Sequence, residues 1–266
     1  MTDLYQENWT ALAPDGAEAF FFETVESTNT TALSLYKAGY ALPLWAVGGQ
    51  QLAGRGRSGR VWTSKTGNFY GSYIFRPQKT ADQMSGLPFV VSLAVRDAVI
   101  ACGLKAEVVQ CKWPNDLIIG DKKASGILIE SAIKSGPDTQ GLMDYVIIGI
   151  GVNLAHYPVD AQFPATSLRT EGVDVGIRLF FEQLSKTLDD LLTLWDKHGF
   201  APIHKLWSEV AWGIGEKRLI RTSKTCVMAT VDGLAPDGGL QLTLEDGTQQ
   251  LIYAGDVFPP SGGKID

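Results

Sequence analysis

Residues 50–62 restrict the fold more than any other stretch, because three glycines and three arginines share one short segment, QQLAGRGRSGRVW. Glycine lets the backbone bend tightly and approach a ligand closely. Each arginine guanidinium is a planar fork that suits phosphate or carboxylate. Apolar runs at 44–47 and 68–75 flank the segment, so we predict a loop that joins two core strands. We expect this loop to be mobile when empty, because its like charges repel, and to close over a phosphorylated ligand; a solvated basic loop is the alternative.

Two common phosphate-binding motifs do not fit this loop. The spacing of Gly54, Gly56 and Gly59 matches the dinucleotide motif, but that motif requires a helix at its end, and residues 61–67 lack a helical pattern. Arg60 and Val61 stand where a P-loop requires Lys followed by Ser or Thr. We therefore expect phosphate contacts from arginine side chains.

The composition is that of a globular protein with a localised positive charge. The chain has 266 residues, of which 45% are hydrophobic, so it can form one large domain or one domain with a small second one. Its net charge of −6 disfavours a nucleic-acid-binding protein and favours a small anionic ligand at the basic loop.

The sequence predicts a cytoplasmic location. Three cysteines without a CxxC pair argue against a disulfide framework or a structural zinc site and favour a reducing compartment. The N-terminus lacks a basic region typical of a signal peptide. No apolar run approaches ~18 residues, so we expect no membrane span.

Periodicity predicts an α+β fold. Residues 1–17 are predicted to be a loose arm. We predict strands at 19–25, 107–109, 117–119, 124–130 and 145–154, and helices at 31–38, 87–102, 180–198 and 203–212. From residue 215, short β-rich runs at 218–220, 226–231, 240–244 and 250–253 alternate with Asp-Gly turns, which predicts a small barrel-like domain.

Two polar features have open interpretations at this point. Ser27 or Thr28 is a natural N-cap for the helix at 31–38, but a helix N-terminus with extra hydroxyl and amide groups is also a polar ligand site. Gly149 and Gly151 lie in a predicted central strand and leave room for a ligand against the sheet. A plain α+β core without a ligand is the alternative.

Five sequence blocks, in order and with similar spacing, resemble the biotin protein ligases (biotin–[acetyl-CoA-carboxylase] ligases) over about residues 20–155. The blocks are Ser27-Thr28-Asn29, Gln51 with residues 54–62, Lys112-Trp113-Pro114-Asn115-Asp116, Lys123 with Gly126-Ile127-Leu128, and residues 149–153. The Arg-Gly block and the Lys-Trp-Pro-Asn-Asp block are each highly specific.

The resemblance implies a class II synthetase-like fold and a two-step reaction. The fold is a mixed β-sheet flanked by helices over residues 18–214, followed by a small SH3-like β-barrel domain over 215–266, whose sequence match is weaker. Biotin and ATP, with Mg²⁺, form biotinyl-5′-AMP and pyrophosphate. A lysine on the biotin carboxyl carrier domain of acetyl-CoA carboxylase, or of a related carboxylase, then takes the biotinyl group.

The resemblance also implies roles for individual residues, none of which is a metal ligand. Lys123 holds the biotin carboxylate and the α-phosphate, Asp116 orients or deprotonates the incoming lysine, and Trp62 stacks near adenine. The catalytic residues implied are Lys123, Arg55, Arg57 and Asp116. Around the biotin ring system it implies Ser27, Thr28, Asn29, Gln51 and Gly126. The residues implied at ATP or the adenylate are Arg55, Gly56, Arg57, Arg60, Trp62, Asn115, Lys123 and Asn153.

The sequence departs from many members of the family at its N-terminus, and two rival functions remain open. Many relatives carry an N-terminal winged helix-turn-helix, and fewer than 20 residues precede the first predicted strand, so we expect no DNA binding. A lipoate or octanoate ligase shares the chemistry, but its Arg-Arg…Gly-Gly signature with a histidine is absent. A biotin- or nucleotide-sensing protein would bind biotin without releasing pyrophosphate. The sequence leaves open whether the protein is a homodimer.

Overall fold

The computed structural model describes residues 16–136 and 141–260, which form two β-sheets with four α-helices. Most of the predicted arm at 1–17 lies outside the described residues. The elements that build the first sheet and its helices are β1 Glu18–Val25, α1 Thr28–Lys37, β2 Leu44–Gln51, β3 Phe69–Phe75, α2 Leu87–Ala101, β4 Val109–Lys112, β5 Asp116–Ile119, β6 Lys122–Ile133, β7 Met143–Val152, α3 Ile177–His198 and α4 Phe200–Glu209.

The first sheet is mixed and has the order β1-β2-β3-β7-β6-β5-β4. Strand β1 runs parallel to β2, and the other pairs are antiparallel. Strand β7 lies at the centre, which confirms the prediction of a central strand. The mixed sheet with flanking helices confirms the predicted α+β class.

Helices cover both faces of this sheet because its strands alternate apolar residues to either side. From β2, Leu44 and Ala46 join Ala32 of α1 in one buried cluster. Trp45 and Val47 belong to the larger cluster that contains the buried residues of α2 and α3. The site residues on β2 and β3 are therefore held by a core on each face.

Helix α2 is a core helix, with ten buried residues between Leu87 and Val99. Among the described residues, the stretch Ala81–Ala101 is long and apolar enough to cross a membrane, but 61% of it is buried inside the fold. Pro88 is tolerated because it lies in the first turn, where the missing N–H has no partner to lose. The apolar character of α2 is explained by its packing between the sheet and α3.

The second sheet contains the strands after residue 216 and is antiparallel throughout. Its strands are β8 Lys217–Arg221, β9 Cys226–Leu234, β10 Leu240–Leu244, β11 Gln249–Ile252 and β12 Asp256–Phe258. Their order is β11-β10-β9-β8-β12, so the described strands do not close into a barrel. Four strands were predicted, whereas the three-residue β12 was not.

Three predicted boundaries are wrong, and one of them is the helix predicted at 203–212, which spans Phe200–Glu209. The other two are explained by pairing and capping. Residues 106–108 form a 3₁₀ turn rather than a strand, because β5 ends at Ile119, the partner of Val109, and the chain turns away after Gly120, whose N–H donates to the Val108 carbonyl at 3.2 Å. The first helix begins at Thr28 rather than residue 31. Ser27 is its N-cap residue, as predicted, but within the described chain its side chain makes no capping hydrogen bond.

Candidate active site

One cavity of about 640 Å³ opens on the face of the first sheet, and every predicted site residue except Asn115 lines it. These lining residues are Ser27, Thr28, Asn29, Gln51, Arg55, Gly56, Arg57, Arg60, Trp62, Asp116, Lys123, Gly126 and Asn153. Asn115 is buried behind the wall, where its amide oxygen accepts a hydrogen bond from Arg57 and its amide nitrogen donates to the Ile127 carbonyl.

A chain of hydrogen bonds connects the first turn of α1 to β2 and β3. The amide oxygen of Gln51 accepts hydrogen bonds from the Thr28 backbone N–H (2.9 Å) and hydroxyl (3.2 Å). The Ser72 hydroxyl lies 2.7 Å from Thr28 Oγ1 and 2.6 Å from Asn29 Oδ1. Asn29 Nδ2 donates to Glu130 at 2.6 Å. Sequence analysis missed Ser72 on β3 and Glu130 on β6, because a serine or a glutamate within a strand carries no local signal of a site.

Glycines on β6 and β7 form the floor of the cavity. A methyl group on Gly126 or Gly151 would lie 2.7 Å or 2.6 Å from the indole of Trp62, and one on Gly149 would collide with the Asn29 amide. The indole therefore packs against bare backbone. Trp62 Nε1 is buried and has no hydrogen-bond partner among the described residues.

The basic segment between β2 and β3, residues 54–60, forms a compact loop, which we call the arginine loop. Gly56 N–H donates to the Arg60 carbonyl (2.7 Å), and Trp62 N–H donates to the Gly54 carbonyl (2.9 Å). Ser58 adopts the left-handed conformation, with φ of 54°. The prediction of a loop between two core strands is confirmed.

Each arginine of the arginine loop contacts a different element of the protein. Arg55 lies 3.3 Å from Glu130 on β6, and Arg60 lies 3.1 Å from Asp256 on β12. Arg57 donates to Asn115 Oδ1 at 3.1 Å. The loop was expected to be mobile when empty because its three arginines repel one another. These contacts offset that repulsion. Both ion pairs are exposed and each contributes only about 0–1 kcal/mol, so the mobility of the loop stays a prediction.

A buried carboxylate between two lysines forms the wall of the cavity, and we call it the Lys–Asp–Lys cluster: Lys112, Asp116 and Lys123. Asp116 Oδ1 is 2.6 Å from Lys123 Nζ, and Oδ2 is 2.9 Å from Lys112 Nζ. Burial alone would raise the pKa of Asp116, but the two ammonium groups outweigh burial and hold that pKa well below its usual range. Burial lowers the pKa of Lys123, which the Asp116 carboxylate opposes.

Three further parts of the wall were missed or only partly foreseen. Lys112 belongs to a recognised block, but no site role was predicted for it. The segment Tyr157–Phe163 follows β7 and lines the cavity, and the ring centre of Phe163 lies 5.0 Å from the ammonium of Lys112. Asp256 and Phe258 of β12 also line it, so the second sheet contributes to the site. Residues this distant in sequence are brought together only by the folded chain.

The site suits the handling of charged phosphate and carboxylate groups more than covalent or metal chemistry. Cys111 is buried, and burial raises the pKa of its thiol to about 12, which suits a core residue rather than a nucleophile. Among residues 16–136 and 141–260, no group of three or more His, Cys, Asp or Glu side chains is arranged to hold a metal ion.

Sequence comparison connects this geometry to known ligases. The chain is 38% identical to a "Biotin--[acetyl-CoA-carboxylase] ligase" of Paracoccus denitrificans over 241 residues, which cover 88% of this chain and 97% of the relative. It is 33% identical to the "Bifunctional ligase/repressor BirA" of Bacillus subtilis over 258 residues, 91% of this chain and 74% of that protein.

Solved structures show the same fold. The biotin protein ligase of Aquifex aeolicus in complex with biotin and ATP superimposes with a TM-score of 0.74 at 25% identity, covering 90% of this chain and 97% of that one. The biotin protein ligase of Leishmania major in complex with biotinyl-5-AMP matches with a TM-score of 0.60 at 27% identity over 87% and 97% of the two chains. The profile of the "Biotin/lipoate A/B protein ligase family" matches residues 21–153. The chain belongs to the biotin/lipoate A/B protein ligase family.

Proposed function

We propose that this protein is a biotin–protein ligase, which uses ATP to attach biotin to one lysine of a biotin carboxyl carrier domain through biotinyl-5′-AMP. The observation that carries the proposal is that one cavity joins three parts: the polar turn of α1, the arginine loop and the Lys–Asp–Lys cluster. The polar turn of α1 suits the polar ring system of biotin, the arginine loop suits a polyphosphate, and the Lys–Asp–Lys cluster suits a carboxylate. The bound biotin and ATP of the Aquifex aeolicus ligase support the same assignment.

In the first step, a carboxylate oxygen of biotin attacks the α-phosphorus of ATP, and the bond to the bridging oxygen breaks to release pyrophosphate. Two anions must approach each other, so the barrier depends on positioned positive charge. Lys123 faces the cavity and lies 2.6 Å from Asp116. We propose that its ammonium leaves Asp116 to hold the biotin carboxylate and the α-phosphate, while Arg55, Arg57 and Arg60 neutralise the remaining phosphates.

The biotin ring system fits the polar turn of α1, and the nucleotide fits beside Trp62. Ser27, Thr28, Asn29 and Gln51 offer amides and hydroxyls to the ring, and the first three of these residues are buried. The ring would also lie near the backbone of Gly126, on which the Trp62 indole packs. Trp62 would stack near adenine, and Asn153 would lie by the adenosine. The Nε1 of Trp62 would then gain a polar partner from the ligand or from water.

In the second step, the acceptor amine attacks the carbonyl carbon of the mixed anhydride. The new C–N bond forms as the C–O bond to phosphate breaks, and AMP leaves with that electron pair. Asp116 attracts and orients the incoming lysine. The arginine loop, closed over the adenylate, would keep water from hydrolysing it.

Within residues 16–136 and 141–260, the side chains do not form a resident site for Mg²⁺. Asp116 is the carboxylate closest to Lys123 in the cavity, and both of its oxygens are bound by lysines. Mg²⁺ often binds through substrate phosphates with only one or two carboxylates. We therefore propose that Mg²⁺ enters with ATP as part of the nucleotide substrate.

Three coarser features of the protein are also proposals. We propose that residues 18–214 and 215–266 are its two domains, supported by the change from the first sheet to the second after residue 216. We propose a cytoplasmic location, supported by the cysteine usage. We propose that it does not bind DNA, supported by the net charge of −6.

The test is mass spectrometry of a carboxylase carrier domain after incubation with the protein, ATP and one of biotin, lipoate or octanoate. We expect one biotinyl group on the acceptor lysine and none without ATP. Lipoyl or octanoyl transfer without biotinyl transfer would favour a lipoate-type ligase. Biotin binding without pyrophosphate release would indicate a sensing protein. Either result would overturn the proposal.

A further inference from the structure

Lys112 is a buried lysine that has no part in the two steps above. It ends β4 and is the register partner of Asp116, which begins β5, so the turn between the strands fixes the two side chains together. Only 4% of its side chain is exposed, against 27% for Lys123. Its ammonium lies 2.9 Å from Asp116 Oδ2 and 5.0 Å from the ring centre of Phe163.

The two lysines of the cluster therefore differ in their freedom to move. Lys123 reaches Asp116 from the cavity side, and the proposed first step requires its ammonium to leave for the substrate. Lys112 is enclosed by Asp116 and Phe163 and has no comparable exposure. When Lys123 leaves, Lys112 is the ammonium that remains on the carboxylate.

We propose that Lys112 is a positioning residue for the second step, which keeps the Asp116 carboxylate ionised and oriented after Lys123 has moved to the adenylate. The inference rests on the proposed function and adds a residue to it. A buried carboxylate without a counter-charge is strongly disfavoured. Without Lys112, Asp116 would either take up a proton or draw Lys123 back from the substrate.

The arrangement also divides the two oxygens of Asp116 between two tasks. Lys112 occupies Oδ2, so the departure of Lys123 leaves Oδ1 for the ammonium of the acceptor lysine. Because Asp116 is then a weak base, it orients the acceptor, whose proton passes to solvent before its lone pair forms the C–N bond. Arg60, which is paired with Asp256, lies near enough to Lys123 to act on it electrostatically, and Arg57 contacts Asn115, the neighbour of Asp116 in the chain.

The test separates the two half-reactions in the full-length protein. Pyrophosphate release is measured with biotin and ATP alone, and transfer is measured by adding the carrier domain to enzyme preloaded with synthetic biotinyl-AMP. For Lys112→Met, we expect a transfer rate about tenfold lower than that of the wild type at pH 6, which corresponds to a rise of about one unit in the pKa of Asp116. The rate should recover in part toward pH 8, where Asp116 is again ionised. We expect a smaller loss of pyrophosphate release.

Three comparisons distinguish positioning from mere packing. Lys112→Gln can keep a hydrogen bond to Asp116 without the charge and should show the same pH-dependent loss, whereas Lys112→Arg should restore the wild-type pH profile. Adding Lys112→Gln to Asp116→Asn should lower transfer no further. Lys79→Met is the matched control, because Lys79 is also mostly buried, 3.1 Å from Asp196 and 4.8 Å from the ring centre of Trp195, away from the site.

The outcomes separate this inference from the proposed function. Wild-type protein that performs neither half-reaction contradicts the proposed function itself. Wild-type protein that performs both, together with a Lys112→Gln variant whose two rates fall equally at every pH or do not fall, overturns the role of Lys112 alone.

Discussion

Single residues of the cavity already have partners within the protein, so a substrate must exchange partners rather than fill vacant charges. Lys123 is the clearest case, since its ammonium lies 2.6 Å from the Asp116 carboxylate. A second carboxylate, that of biotin, is chemically the same kind of partner. The exchange therefore costs little, provided that Asp116 retains another cation.

Lys123→Ala should abolish pyrophosphate release in the presence of biotin and ATP. The substitution removes the ammonium that would bridge the biotin carboxylate and the α-phosphate. Lys122→Ala is the control, because Lys122 precedes Lys123 on the same strand but contacts Glu171 at 3.4 Å on the surface. Normal pyrophosphate release by Lys123→Ala would remove Lys123 from the mechanism.

Arg57→Ala should weaken binding of biotinyl-AMP more than binding of biotin alone, as measured by calorimetry. Arg57 contacts Asn115 at 3.1 Å and lines the cavity, so its charge is available to phosphate. Arg169→Ala, which removes an exposed arginine paired with Asp174, is the control. Equal losses for the two ligands would argue against closure of the arginine loop over the adenylate.

The depressed pKa of Asp116 predicts how stability depends on pH. The folded-state pKa lies below the unfolded value of about 3.9. The ionised carboxylate therefore contributes its full stabilisation above that value, and the contribution declines as the pH falls toward the folded-state pKa. Urea unfolding between pH 6 and pH 3 should show the free-energy gap between wild type and Asp116→Asn narrowing with acid. A constant gap would contradict the ion pairing.

At the scale of elements, the arginine loop depends on one close backbone approach. A methyl group on Gly54 would lie 2.5 Å from the backbone carbonyl of Trp62, whereas one on Gly56 would meet nothing closer than 3.5 Å. Gly54→Ala should therefore distort the loop and speed tryptic cleavage at its arginines in the absence of ligand, by about tenfold if the distortion costs about 1.4 kcal/mol. Gly56→Ala is the matched control. Equal cleavage rates for the two variants would refute the dependence of the loop on the close approach at Gly54.

At the scale of the whole molecule, the two sheets share a hydrophobic core. Buried residues of the second sheet, including Val231, Leu242 and Phe258, belong to the same cluster as those around α2 and α3. Trp113 Nε1 donates to the Gly238 carbonyl at 3.2 Å across the junction. This continuity predicts that the parts on either side of residue 215 unfold together.

Calorimetry should accordingly show one cooperative unfolding transition for the full chain. Trp113→Phe, which removes the hydrogen bond to Gly238, should lower the Tm by about 2–4 °C, since a typical buried hydrogen bond contributes about 1 kcal/mol. Two resolved transitions in the wild-type protein would mean that the shared core does not couple the sheets.

The sequence predicted features that depend on local patterns and missed those that depend on distant pairs. Continuous apolar runs in β2 and β3 and the helical period of α3 identify these elements without tertiary information. Asn29 meets Glu130 across 101 positions and Arg60 meets Asp256 across 196, and no local signal predicts such pairs. Strand β12 has only three residues and exists because β8 offers it an edge. The family blocks located the cavity, but they gave no site role to Lys112 and did not include Ser72 or the segment Tyr157–Phe163.

Because Arg55, Arg57 and Arg60 have separate partners, the response of the arginine loop to a ligand depends on how many anionic oxygens that ligand presents. Glu130 lies on β6, Asn115 in the turn between β4 and β5, and Asp256 on β12, so one small anion can replace only one of these partners and leaves the other two contacts in place. A triphosphate presents enough oxygens to release all three together. We therefore predict that biotin alone leaves the arginine loop in place and that the loop rearranges only when the nucleotide is also bound.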